Sequence, residues 1–227
     1  MGEPRGAILT LSLCPTYPAE PFRNPRQMVE LYRQIRIRDY YGTADSYPIA
    51  ENARTVQDAA VGVKAIQDVG AYWFAELNTH GLYLTRQTLL ETLWPQQQED
   101  DADARPDLIR APEVVARTDQ FIRSGEIFYD AIDYRGPLEF AVRIKNANHY
   151  ALDPLLDPRG WRGHRLPQCP DAEIVLDLRV SGMALAQERR RVVLESIARV
   201  GHAYNVNFSA DQVDDYVARK SGLALTA

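Results

Sequence analysis

The residues of this chain best suited to chemistry are carboxylates with a lysine in reach. Glu139 and Lys145 share one apparent strand, and Asp171, Glu173 and Asp177 lie just before and along another. Metal-dependent nucleases use such a set, with acids on adjacent strands holding Mg²⁺ and a lysine orienting the attacking water. The spacing here departs from the usual Asp…Glu-x-Lys pattern. Glu139 and Lys145 are six residues apart, and neither Glu173 nor Asp177 has a lysine two residues on. Alternating polar positions on a half-exposed strand explain the same acids. A divergent metal-dependent nuclease or other hydrolase is therefore the alternative reading. It predicts that these carboxylates converge in one cleft.

Other chemistries find less support. The four histidines, His80, His149, His164 and His202, are scattered, and no Cys-x-x-Cys or His-x-x-x-His pair is present. Zinc needs about four ligands, commonly in close pairs. Cys14 and Cys169 each precede a proline beside apolar residues, which suits reduced, partly buried thiols. Nothing local would lower the Cys14 pKa, so it is not read as a nucleophile. There is no Gly-x-Ser-x-Gly elbow, no Gly-x-x-x-x-Gly-Lys and no Gly-x-Gly-x-x-Gly. The acidic run over 96–103 matches no calcium loop, lacking its glycine and terminal glutamate. No cofactor and no metal site are expected.

Two features point to binding instead. Arg189, Arg190 and Arg191 lie on a C-terminal helix away from its apolar stripe, so they are expected on a solvent-facing side. Glu188 and Glu195 offer them local balance. Trp73 points away from Tyr72 and Phe74 on its strand, so it either packs under a helix or belongs to a binding surface.

The elements that must position these residues follow from periodicity. Residues 7–13 alternate apolar and polar as a strand. Asn24 and Pro25 open a helix whose Met28, Leu31, Tyr32 and Ile35 form one stripe. An irregular loop is expected over 39–56. Strands are expected over 61–66, 72–77 and 82–84, with turns at 67–70 and 78–81. Thr85 is expected to cap a short helix through Leu93, before Pro95. Pro112 opens a long helix that runs past Gly125 toward Ile132. Strands over 138–144 and 174–180 flank a long loop over 147–170 containing Trp161. A long helix follows, and Ser209 with Gln212 makes the capping box of a last one.

The totals bound the class. The chain has 227 residues, is 45% hydrophobic and carries a net charge of −5. That is enough to bury a core. Nucleic acid stays open as a partner, but the acidic balance does not point to it. No apolar run approaches the ~18 residues of a membrane span. The lack of a signal-peptide pattern and the sparse cysteines fit a cytoplasmic location. The chain enters its first strand almost at once, which suggests a part of a longer protein.

Three stretches, 9–18 (LTLSLCPTYP), 74–82 (FAELNTHGL) and 134–140 (YRGPLEF), carry a resemblance. The region resembles the C-terminal accessory module of bacterial multidomain proteins with a Schlafen-type AlbA domain. The resemblance implies an accessory or sensing module near nucleic-acid-related machinery. The AlbA domain itself is absent, so no catalytic residue is carried over. The fold class expected is α+β, with mixed or antiparallel sheet packed by helices and a C-terminal helical pair. One unit over 1–227 is expected, with a subdivision into 1–95 and 111–227 across an acidic linker, 96–110, as the variant. The function expected is a non-enzymatic regulatory, sensing or interaction module of a bacterial cytoplasmic protein. Its partner would be a protein or a fused domain, and not a membrane.

Overall fold

In a computed structural model of the chain, β1 (Ala7–Pro15) buries Ala7, Leu9, Leu11 and Leu13 on one face. The residues described are 6–17, 20–38, 40, 46–48, 52–66, 71–89, 108–154 and 166–221. The expected turn 67–70, the acidic run 96–103, Trp161 and His164 lie outside them.

The elements follow in order. They are α1 (Pro25–Gln34), β2 (Ile37–Arg38), β3 (Ser46–Tyr47), β4 (Arg54–Val56), β5 (Ala59–Ile66), β6 (Ala71–Asn78) and β7 (Tyr83–Leu89). Then come β8 (Leu108–Arg110), α2 (Ala111–Ala131), β9 (Pro137–Lys145), β10 (Ala151–Asp153), β11 (Glu173–Ser181), α3 (Leu185–Ala203) and α4 (Ala210–Ser221). Seven strands form one antiparallel sheet in the order β11-β9-β1-β7-β6-β5-β4. A short parallel pair joins β10 to β8, and an antiparallel pair joins β2 to β3. The fold is α+β. β1 sits between β7 and β9, so strands from either side of 96–110 share one sheet and one core. Within that expected linker, Leu108–Arg110 is strand and Ile109 is buried.

The helices pack on one face of the sheet. In register across it stand Leu77, Tyr83, Leu13 and Phe140, all buried. Gly125 of α2 sits on them. A Cβ there would lie 2.8 Å from Leu13 Cδ1, which is why a mid-helix glycine is tolerated. α1 packs over β5 and β6, and α3 over β11. No helix among the described residues is long and apolar enough to cross a membrane.

Other expectations differ from the structure as well, and the loop expected over 147–170 contributes β10. The segment after Tyr83 is strand through Leu89, not a short helix from Thr85; residues 90–93 lie outside the description. Thr85 and Gln87 face the core there, so polar residues occupy the positions that normally betray a buried strand face. The irregular segment 39–56 also contributes β3 and β4.

Candidate functional site

Half of the buried polar residues among those described lie on α2. Pro112 occupies its first turn and Glu113 suits the positive helix end. Val114, Val115, Phe121, Ile122 and Phe128 are buried on different sides of the helix, so α2 is enclosed all round. Arg117, Thr118, Asp119, Gln120 and Ser124 are buried with them.

Their partners lie on three elements. The Asp119 carboxylate, fully buried, stands 3.3 Å from Arg189 Nε on α3, whose side chain is 12% exposed. It also accepts a hydrogen bond from the Tyr40 hydroxyl. Arg123 Nη1 donates to that same hydroxyl at 3.0 Å. Further along, Ser124 Oγ donates to Ile35 O at 3.0 Å and meets the Tyr83 hydroxyl at 3.0 Å. Gln120 Nε2 donates to Arg38 O at 3.4 Å. The Arg117 guanidinium lies 5.9 Å from the centre of the Tyr47 ring, and the Tyr47 hydroxyl meets Thr85 Oγ1 at 3.0 Å. Ser124, Gln120, Asp119 and Arg117 thus hold Ile35, Arg38, Tyr40 and Tyr47 in reverse order.

Burial sets the electrostatics. It pushes the Asp119 carboxyl above its ordinary value, against the Tyr40 hydrogen bond and the charges of Arg189 and Arg123. Burial first, then the Asp119 charge, raises Tyr40 well above an ordinary phenol. Glu126, one turn from Arg123, is also raised, by burial and then by Asp130. Perturbed acids mark functional sites and structural networks alike. Here Tyr40, Asp119, Gln120, Arg123 and Ser124 engage other side chains or backbone, while the buried Thr118 Oγ1 makes no hydrogen bond. The arrangement can hold charge and fix a segment.

The Asp119 cluster was missed in the sequence. Its signal is the run 117–120, four consecutive polar residues amid apolar ones on every side. Four helical positions sweep more than three-quarters of a turn, so some of them must point inward.

The arginine triplet departs from expectation. Successive helical side chains diverge by about 100°, so three in a row cannot share one face. Arg189 turns inward to Asp119 instead of facing solvent. Arg190 forms a bidentate pair with Asp214 of α4, Nε donating to Oδ1 at 3.2 Å and Nη2 to Oδ2 at 2.9 Å. Arg191 binds Glu188 and Glu195 and reaches the backbone of β11. Trp73 lies in the core at 7% exposure and offers no surface.

The acids of the hydrolase reading share a sheet face but do not converge. Glu139 and Lys145 are exposed on β9, six residues and roughly 20 Å apart. Lys145 stands opposite Glu173, and Glu139 opposite Arg179. Asp177 lies 3.5 Å from Arg143 and diagonal to Glu139. Glu173 is four residues from Asp177, roughly 13 Å along the strand. Asp171 is exposed in the loop before β11. Among the described residues no three His, Cys, Asp or Glu side chains are grouped to hold a metal. Both thiols are raised by burial, Cys14 also by Glu139.

Those acids lie on the face of the sheet away from the helices, and over β5, β6 and β7 that same face turns largely apolar. No described helix packs on it. In register across β5, β6 and β7 stand Val63, Phe74 and Arg86, flanked by Val61, Glu76 and Leu84 and by Tyr72. Val63 is 43% exposed, while Tyr72, Phe74 and Leu84 are half-buried. Ile8 and Thr88 are buried at one end of the strip, and Ala59 is buried at the other.

Comparison with protein-family models, with curated proteins and with solved structures found no match.

Proposed function

We propose that this chain is a non-enzymatic interaction module of a bacterial cytoplasmic protein, working through the sheet face over β5–β7 on which no described helix packs. The supporting observation is the strip Val61, Val63, Tyr72, Phe74 and Leu84 on a seven-stranded sheet whose described helices lie on the other side. Antiparallel sheets tolerate one solvated face, but that face is ordinarily polar. An apolar patch with Glu76 set between Val61 and Leu84, and with Arg86 beside Phe74, has the composition of a contact surface. The partner is a protein segment or a fused domain. A role beside nucleic-acid-related machinery rests on the AlbA-associated resemblance alone. Asp177 is paired with Arg143, and the other candidate acids on β9 and β11 stand opposite cations without grouping at one point, which favours binding over catalysis.

The test is site-directed photo-crosslinking in cells. A photoreactive residue at Val63 should give one discrete adduct, abolished by Phe74→Lys. The same residue at Ala186, exposed on the helical side, should give none. No adduct at Val63, or one indifferent to Phe74→Lys in a folded protein, would overturn the reading.

A further inference from the structure

The two edges of the sheet are unequal. β4 closes one edge with three residues, and a short edge strand gives little template for pairing. β11 closes the other with nine residues. Gly182 N–H donates to Gly136 O, one step beyond the Ser181–Pro137 pair. Antiparallel ladders alternate, so even-numbered residues of β11 bond to β9. The odd ones, Glu173, Val175, Asp177, Arg179 and Ser181, therefore turn their N–H and C=O groups to the free edge.

Two of those outward carbonyls are occupied. Arg199 Nε donates to Val175 O at 2.9 Å, and Arg191 Nη2 donates to Arg179 O at 2.9 Å. The spacing matches on both sides. Eight helical residues separate the arginines by roughly 12 Å. Four strand residues separate the carbonyls by roughly 13 Å. Glu188 and Glu195, one turn to either side, hold the Arg191 guanidinium in place at 2.7 and 3.0 Å.

We propose that Arg191 and Arg199 are a two-point guard that closes the free edge of β11, and that the strand they exclude is β11 of a second copy. The charge pattern of the strand selects that occupant. Pairing two copies antiparallel about Leu176 places Glu173 of each opposite Arg179 of the other. Opposite charges facing each other across an antiparallel pair are favourable. The guard takes the acceptors such a pairing would need. It operates at the sheet edge and does not depend on what binds the sheet face.

The test is Arg191→Met with Arg199→Met, which keeps the aliphatic stems and removes the donors. Mass is measured by light scattering across a concentration series, with far-UV circular dichroism as the control for folding. The double variant should dimerise at least about tenfold more tightly than the parent. Adding Asp177→Pro, which deletes an outward N–H while sparing the bonds to β9, should return it to the parent's mass. A folded double variant with the parent's association, or a dimer indifferent to Asp177→Pro, overturns the proposal. If the double variant lacks the parent's spectrum, Arg199→Met alone opens the Val175 end and is read in the same way.

Discussion

Substitutions at Asp119 separate what its charge contributes from what its oxygens contribute. The carboxylate is fully buried, and Arg189 is nearly so. Its raised pKa means that desolvation outweighs what Tyr40, Arg189 and Arg123 return. The charge is therefore no asset, whereas the acceptor is. Asp119→Asn keeps an acceptor for the Tyr40 hydroxyl and should cost no more than about 1 kcal/mol. Asp119→Ala orphans that hydroxyl and leaves Arg189 facing a void. An unsatisfied buried donor costs about 1–3 kcal/mol, more when a charged group is also stranded, so about 3 kcal/mol is expected. For a chain of this length, that lowers Tm by about 6–12 °C. Urea titration should show the midpoint falling with the slope unchanged. The pH dependence has a defined sign. A carboxyl raised on folding stabilises the fold fully below its ordinary value of about 3.9, and the contribution is lost as pH rises through the folded value. Acidifying from neutrality toward about pH 4 should thus move the parent's stability upward relative to Asp119→Asn. Equal losses for Asn and Ala, or a gap that moves the other way on acidification, would refute the reasoning.

Two further outcomes check other parts of the structure. Gly201→Ala should unsettle the turn from α3 into α4, because the added Cβ would lie 2.4 Å from the Val206 carbonyl oxygen, a backbone atom that cannot step aside. Overpacking of that kind costs about 1–3 kcal/mol, read as a lower urea midpoint. Millimolar Mn²⁺ or Mg²⁺ should leave the melting temperature unchanged, since Glu139, Glu173 and Asp177 each face a cation on the neighbouring strand. A clear rise that Asp177→Asn removes would revive the hydrolase reading.

Elements built on a clean period were legible in the sequence. The Asn24 cap of α1 closes as a capping box with Gln27, and Ser209 pairs reciprocally with Gln212 before α4. β9 and β11 extend the expected strands by one residue at each end. What failed shares one cause, the assumption that polar residues face water. It turned the end of β7 into a helix, because Thr85 and Gln87 face inward. It placed Arg189 on the surface, because no local pattern announces that Asp119, seventy residues earlier, awaits it. It also passed over Asp119 itself. A buried ion pair is a relation between two distant positions, and one-dimensional periodicity carries no record of it. The three stretches behind the family resemblance meet at one end of the sheet. Thr16 N–H donates to Pro137 O there, and Gly81, at φ +88, leaves room for Pro15 and Phe22. They are the sequence of a structural clasp, which is why they name no chemistry.

The placement of those buried groups explains why α2 retains them despite their cost. A helix enclosed by apolar side chains on every side can rotate or slide cheaply, since one aliphatic contact replaces another. Arg117, Asp119, Gln120, Arg123 and Ser124 remove that freedom, because each has its own partner on the 35–47 segment, on α3 or on β7. Specificity is then obtained at the expense of stability, and the two can be separated. Replacing Tyr40 by Phe, Asp119 by Leu and Arg189 by Met removes the buried charges together with the hydroxyl that needs them. Such exchanges are often neutral or stabilising by about 1–4 kcal/mol, so the triple variant should unfold at or above the parent's urea midpoint. Its cost should appear elsewhere, as faster amide exchange at Ile35, Arg38 and Tyr47, the points where α2 grips that segment. Unchanged exchange at those residues in a folded triple variant would mean that apolar packing alone sets the register of α2.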